Sequence, residues 1–246
     1  IDLNGTGFQH DVTGIEIFIG TDGGDTFKQG DGSRALDYTR FEGGLGNDAY
    51  YLDDGLQDIV IDSGGYDTVS YEDMNGGAGI QIVSTTLTTL SGISGSYIAV
   101  TDQDSGGTDY IQSTVNYLIG SQYGDVIDLS TNVDIDRIDG GGGNDSFDLF
   151  GNNTGAVING DDGNDHFDLA NNSQNYTVNG GNNNDTFRVF EDAGPSTING
   201  GSGTDHLLLD LNTASRDGDS ISVNLVIGEL VTQTGTFTIS SIETVT

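Results

Sequence analysis

Between residues 120 and 210 apolar side chains recur in three columns with a period of 20. One column is Ile127, Phe147, Phe167, Phe187 and Leu207. A second, two positions on, is Leu129, Leu149, Leu169, Val189 and Leu209. Asp128, Asp148, Asp168 and Arg188 lie between the two, with Leu208 as the apolar exception. Alternation with period two predicts a short strand with one face inward. The third column, Ile138, Ile158, Val178 and Ile198, predicts a second inward-facing strand on the return side of each repeat. No helical apolar periodicity occurs, so almost no helix is expected. A fixed period of this length means a coil that stacks on itself. The fold expected is all-β: a parallel β-roll or β-helix solenoid with coils of about 20 residues and extra β-strand capping regions.

The polar positions carry the same period. Glycine-rich turns read GSQYGD (120–125), GGGGND (140–145), GDDGND (160–165), GGNNND (180–185) and GGSGTD (200–205). Each ends on an aspartate: Asp125, Asp145, Asp165, Asp185 and Asp205. The opposite turns, around 151–154, 171–175 and 192–196, repeat no aspartate, so the acids are expected along one edge of the stack. Strands in one sheet lie about 4.8 Å apart. Two unit charges at that spacing repel by about 1 kcal/mol in water and about 3–4 kcal/mol at an effective dielectric of 20. A divalent cation between successive turns converts that repulsion into attraction. Calcium suits the position because it accepts six to eight oxygens, backbone carbonyls included, in loose geometry. Glycine suits it because positive φ angles let several carbonyls aim at one point.

These turns resemble the nonapeptide G-G-x-G-x-D-x-U-x of the repeats-in-toxin (RTX) family. GGLGNDAYY (43–51), GGGGNDSFD (140–148) and GGSGTDHLL (200–208) match it best. The resemblance implies a parallel β-roll with several Ca2+ ions between turns, held by the sixth-position aspartate and carbonyls of the first four positions. Carried onto this chain, the metal residues are Asp125, Asp145, Asp165, Asp185 and Asp205, with Asp48 and the neighbouring Asp25 and Asp67. Gly43, Gly46, Gly140, Gly143, Gly160, Gly163, Gly180, Gly200 and Gly203 serve through carbonyls or turn geometry. The family's coils hold two nonapeptides with ions on both edges, whereas only one half of each coil matches here. Tyr123 and Asn183 replace the fourth-position glycine. Asparagine tolerates positive φ better than tyrosine, so the Tyr123 turn departs further from the pattern.

A larger repeat overlays the coils. Residues 14–20 (GIEIFIG) resemble 114–120 (TVNYLIG), and the chain stops on SIETVT (241–246), the opening of the same phrase. Two tandem modules follow from this. Residues 1–114 hold irregular coils over 15–71 and a β-rich extension over 72–113. Residues 115–246 hold five regular coils over 120–209, a β-rich extension over 210–241 and the start of a further module at 242–246. Alternating runs at Ile80–Val83, Ile221–Leu225 and Thr236–Ile239 are expected to be strands that cap or continue the coils. Asp109, in a turn resembling the one at 63–69, reads as a solvated turn residue at least as readily as a ligand.

Charge bounds the partners. Six Lys and Arg against 39 Asp and Glu give a formal net charge of −33. Such a chain repels nucleic acid and acidic membrane surfaces. No apolar run is long enough to insert into a membrane, and no basic, apolar leader opens the chain. Calcium, and neighbouring modules of the same chain, are the expected partners. The apolar fraction of 33% is low for one large globular core but suffices for an elongated stack. Metal-free, the acidic chain is expected to be disordered, so ligation supplies the folding free energy. Extracellular-type calcium sites fill at concentrations that the cytosol lacks. The expected location is therefore secreted or cell-surface, and the resemblance implies type I secretion.

No enzyme is expected. Among 39 acids, carboxylate pairs at catalytic separations arise by chance. The cations Lys28, Arg34, Arg40, Arg137, Arg188 and Arg216 are scattered; Arg34 and Arg40 are expected to meet Asp37 or Glu42 as surface pairs. His166 and His206 read as outward strand residues, and His10 has no evident partner. The rank Asn144, Asn164, Asn184 and Thr204 reads as turn formers rather than an ice-binding face. Tyr51, Tyr97, Tyr110 and Tyr117 are candidates for exposed glycan contacts, but nothing clusters them. The reading is a calcium-binding structural module of a long secreted or cell-surface bacterial protein, of adhesin or surface-layer type. The alternatives are the C-terminal accessory region of an RTX exoenzyme or toxin, or an adhesin module that binds sugar or ice.

Overall fold

The computed structural model of the chain describes residues 17–28, 39–53, 57–74, 76–90, 93–129, 135–151, 155–170, 175–190, 193–210, 222–224, 229–231 and 236–246. Among these there is no helix. The first strands are β1 (Ile17–Ile19), β2 (Thr26–Lys28), β3 (Thr39–Glu42), β4 (Ala49–Tyr51), β5 (Asp58–Ile61) and β6 (Thr68–Ser70). Then come β7 (Ile80–Leu90), β8 (Ile93–Asp102), β9 (Thr108–Gln112), β10 (Tyr117–Ile119), β11 (Val126–Asp128) and β12 (Arg137–Asp139). The regular coils continue through β13 (Ser146–Leu149), β14 (Val157–Asp162), β15 (His166–Leu169), β16 (Thr177–Asn182), β17 (Thr186–Phe190), β18 (Thr197–Ser202) and β19 (His206–Asp210). Last are β20 (Ser222–Asn224), β21 (Glu229–Val231), β22 (Thr236–Ser240) and β23 (Thr244–Val245).

These strands form a parallel β-solenoid of about eight coils. Sheet I has twelve strands in the order β1-β3-β5-β9-β8-β7-β11-β13-β15-β17-β19-β23. Sheet II has eleven in the order β2-β4-β6-β10-β12-β14-β16-β18-β22-β21-β20. In the regular coils Phe147 stands opposite Phe167, Phe167 opposite Phe187, and Ile158 opposite Val178. The three apolar columns face each other between the sheets and are buried, apart from half-buried Leu209. The Phe147, Phe167 and Phe187 rings stack nearly parallel, with centroids 4.7 and 4.9 Å apart. That is the inter-strand spacing itself, so the ring stack and the hydrogen-bond ladder share one repeat.

In mid-stack the regular pattern of the described residues is interrupted by an insertion. After β6 the chain enters sheet I two places early, as the long antiparallel pair β7–β8, and returns through β9 to lie beside β5. Sheet II makes no insertion at this level: β10 pairs directly with β6 on one side and β12 on the other. Both sheets therefore run past the boundary expected at 114/115. The insertion also changes which side of the coil carries the glycine-rich turns. Turns ending at Asp25, Asp48 and Asp67 lead from sheet I to sheet II; those ending at Asp125 through Asp205 lead from sheet II to sheet I. The acids thus occupy two columns on opposite edges, not one edge.

The expected extra strands do both things anticipated for them. Strands β22 and β23 continue the parallel stack on β18 and β19, while β21 and β20 add antiparallel strands at the end of sheet II. Of the four tyrosines that are candidates for exposure, Tyr97 is buried in β8 at 1% exposure, and Tyr51, Tyr110 and Tyr117 are half-buried. His10, Arg34, Asp37, Arg216, the start of the phrase at 14–20, and Ile221 and Leu225 lie outside the described residues.

Candidate metal centre

Each ladder aspartate ends a turn that the glycines shape. Gly143 has a φ of 100°, a region that side chains avoid. A Cβ on Gly163 would strike the carbonyl oxygen of Gly143 one coil away, so only hydrogen fits there. Asn183, at the same place in the next turn, adopts a φ of 78°, which asparagine tolerates. Tyr123 does not adopt a positive φ, and its turn differs, as its sequence predicts.

The turns bring the aspartates into one hydrogen-bonded column. The backbone N–H of Asp125 donates to Oδ1 of Asp145 at 2.8 Å, Asp145 to Asp165 at 2.8 Å, Asp165 to Asp185 at 2.9 Å and Asp185 to Asp205 at 2.8 Å. The N–H of Asp205 donates to Oε2 of Glu243 at 2.7 Å, so Glu243 forms the last rung. The first-half column repeats the arrangement: Asp25 N–H donates to Asp48 Oδ1, and Asp48 N–H to Asp67 Oδ1, both at 2.8 Å. There Asn116 takes the next rung, accepting from the Asp67 N–H at 3.1 Å.

The second carboxylate oxygen is the telling one. Oδ2 of Asp48, Asp67, Asp145, Asp165, Asp185 and Asp205 is buried and has no hydrogen-bond partner. A buried ionised oxygen without a donor or a cation is costly. In the regular coils each Oδ2 lies against the glycine five residues earlier. A Cβ on Gly140, Gly160, Gly180 or Gly200 would fall within 3.0 Å of its own coil's Oδ2 and of a carbonyl oxygen from the next coil: Gly160, Gly180, Gly200 and Ser241 respectively. A side-chain oxygen and a backbone carbonyl thus converge on one notch at each level. Oxygen donors of this kind fit calcium, with Asp145, Asp165, Asp185 and Asp205 as carboxylate ligands and the turn carbonyls beside them. Gly43 lies likewise against Asp48 Oδ2, with Asp62 Oδ1 and the Tyr50 hydroxyl in place of a carbonyl, while Gly46 and Gly203, at φ 113° and 157°, shape their turns.

Asp25 and Asp125 differ from the rest. Oδ2 of Asp25 accepts from Thr21 N–H at 2.6 Å and Thr21 Oγ1 at 2.9 Å. Asp125 accepts from Ser121 N–H at 2.8 Å and Ser121 Oγ at 2.7 Å, and its Oδ1 also from Ile80 N–H at 2.8 Å. Each ends a GxxxGD phrase whose hydroxyl residue satisfies the carboxylate from within the turn.

Burial pushes these carboxyls up. Asp145 rises to about 8 and Asp165 to about 7, each through desolvation first and neighbouring aspartates next, against the hydrogen bond from the preceding rung. Asp125 and Asp185 rise to about 6, again mainly through burial. Asp48 and Asp205 shift upward for the same reason.

Two further acids join the picture. Asp109, which the sequence leaves between a solvated turn residue and a ligand, is 4% exposed within β9. Its Oδ1 accepts from Asp58 N–H at 2.8 Å and its Oδ2 from the Tyr71 hydroxyl at 2.9 Å, so it is a structural acceptor. Asp62 was not anticipated. It lies 3% exposed beside Asp48 and Asp67. The signal was present: the residue five before each ladder aspartate is glycine in every turn except that of Asp67, where it is Asp62.

The Lys and Arg side chains among the described residues are paired with acids. Lys28 pairs with Asp73, Arg40 with Glu42, Arg137 with Asp139 and Arg188 with Asp210. His166 Nε2 lies 2.9 Å from Asp168 Oδ1. The asparagine rank forms its own ladder, Asn164 N–H donating to Asn144 Oδ1 at 2.8 Å, Asn184 to Asn164 at 2.9 Å and Thr204 to Asn184 at 2.8 Å.

No family model and no curated protein matches the chain. Among solved structures the chain is similar to the extracellular lipase LipA from Serratia marcescens, at 17% sequence identity over 98% of this chain and 40% of that one, with a TM-score of 0.21. The chain spans 40% of the length of that lipase.

Proposed function

We propose that the chain is a calcium-binding structural β-roll module of the RTX kind, part of a long secreted or cell-surface bacterial protein of adhesin or surface-layer type. The observation that supports it is the row of buried Oδ2 atoms at Asp145, Asp165, Asp185 and Asp205, each beside a carbonyl of the next coil. A bound calcium supplies positive charge where the fold has stacked negative charge and removed water. The chain's own part is to hold one carboxylate oxygen fixed by a backbone N–H and leave the other aimed at the notch. On this reading the module does no catalysis; it folds on meeting extracellular calcium and provides stiffness and spacing between neighbouring parts.

Circular dichroism of the chain with calcium and with excess chelator tests this. The β signal is expected with calcium and its loss with chelator. Asp165→Ala is expected to weaken calcium affinity at least tenfold, about 1.4 kcal/mol. Asp109→Ala is expected to weaken that affinity less, through lost stability alone. A chain equally β-rich in chelator, or the reverse order of the two variants, would end this proposal.

A further inference from the structure

In the first half of the stack three carboxylates meet instead of one. Asp48, Asp62 and Asp67 each place an oxygen within 4.8 Å of the others, and all three are buried, at 2%, 3% and 0% exposure. Asp62 stands where the neighbouring turns have Gly20 and Gly43: the β3–β5 register sets Glu42 opposite Ile61, and so Gly43 opposite Asp62. Its side chain therefore enters the notch that glycine leaves open elsewhere. A Cβ on Gly43 would fall within 3.0 Å of Asp48 Oδ2, Asp62 Oδ1 and the Tyr50 hydroxyl, which marks the point where these oxygens converge.

The protein's own donors do not satisfy this group. Oδ1 of Asp48 and of Asp67 are used by backbone N–H groups, and Oδ2 of both has no partner. Asp62 Oδ2 accepts from Gly64 N–H at 2.8 Å, while its Oδ1 has only the Tyr50 hydroxyl at 3.3 Å. None of the three belongs to an ion pair among the described residues. Oxygens bound to one calcium at about 2.4 Å lie at most about 4.8 Å apart, so the spacing of the three carboxylates suits ligands that share one ion.

We propose that Asp48, Asp62 and Asp67, with Tyr50 at their rim, form a distinct hard-cation site that binds calcium-like ions more tightly than any rung of the second-half column. The proposal rests on the calcium reading above and adds to it a ligand, a charge class and an order of filling. The regular rungs offer one carboxylate and backbone carbonyls per level. Here the same volume holds three carboxylates, and affinity in oxygen sites rises with ligand charge. The ion enters here first and orders the coils of the first half before the second-half edge fills.

Terbium(III) titration of the metal-stripped full chain, with excitation of tyrosine, tests this. The first equivalent is expected to give sensitised emission, because Tyr50 touches the ligand set; Tyr50→Phe is expected to remove that emission. Asp62→Gly restores the residue of the neighbouring turns and so is compatible with the fold; Asp62→Asn keeps the shape. Both are expected to weaken the tightest binding class at least tenfold while retaining the β signal in calcium. Asp165→Asn is expected to weaken only the later class. Unchanged first-ion affinity in both Asp62 variants, with a weaker later class in Asp165→Asn, would overturn the site and leave the column. Loss of the tight class with no effect of Asp165→Asn would keep the site and overturn the column. No effect of any variant would overturn both.

Discussion

A single dipeptide, Asn-Asp, fastens the three middle regular turns, and at 164–165 it does so in both directions. Asn164 accepts an N–H from the coil after it, while Asp165 accepts one from the coil before it. Bonds of this sort contribute about 1 kcal/mol each. The aspartate adds something asparagine cannot, a second oxygen that no protein donor reaches. That oxygen sets the pH response. Between 3.8 and about 8 the folded chain keeps a proton on Asp145 that the unfolded chain has released. Over that window the folded state binds more protons, so stability falls as pH rises. Asp165 acts likewise up to about 7, and Asp125 and Asp185 up to about 6. In chelator any residual β signal is therefore expected to be greater at pH 4.5, where these carboxyls are protonated, than at pH 8. In saturating calcium the order reverses, because the ion needs the ionised carboxylate. A chelated chain more stable at pH 8 would contradict this account. The ladder aspartates were legible in the sequence because their spacing never slips over five turns. Asp62 was harder to see, since it is marked only by the absence of a glycine.

At the scale of the strand, period-two alternation named the inward faces correctly, because a strand only three to five residues long has no room to change its phase. The packing those columns create is aromatic and continuous. Phe167 lies between Phe147 and Phe187, fully buried and stacked on both sides. Phe167→Ala opens a cavity that the neighbouring rings cannot close, since the strand ladder holds them one spacing away. The expected cost is about 3–5 kcal/mol, measured by denaturant unfolding in saturating calcium. A loss under 1 kcal/mol would mean that the coils collapse to fill the space. The long strands β7 and β8 were legible only in part. Ile80–Val83 alternates plainly, but no residue pattern says that this hairpin joins sheet I while sheet II passes it by. That choice depends on pairing partners far away in the chain.

For the molecule as a whole, that same hairpin decides where the acids lie. Turn sequences before and after it are alike, GTDGGD and GSQYGD, yet one crosses from sheet I to sheet II and the other crosses back. Sequence similarity carries the local turn and not the edge on which it falls. Mechanical behaviour follows from the hairpin too. Drawn out from its C-terminal end in calcium, the stack can surrender its regular coils one at a time, each freeing 20 residues, or about 70 Å of contour at about 3.5 Å per residue. At β10 that rhythm must break, because β7, β8 and β9 hold one another by antiparallel pairing and cannot leave singly. In an optical trap the expected trace is a series of short, even steps, then a pause at higher force, then one long release. Such a clasp in mid-stack would let a tether lengthen under load at one end while the other stays wound.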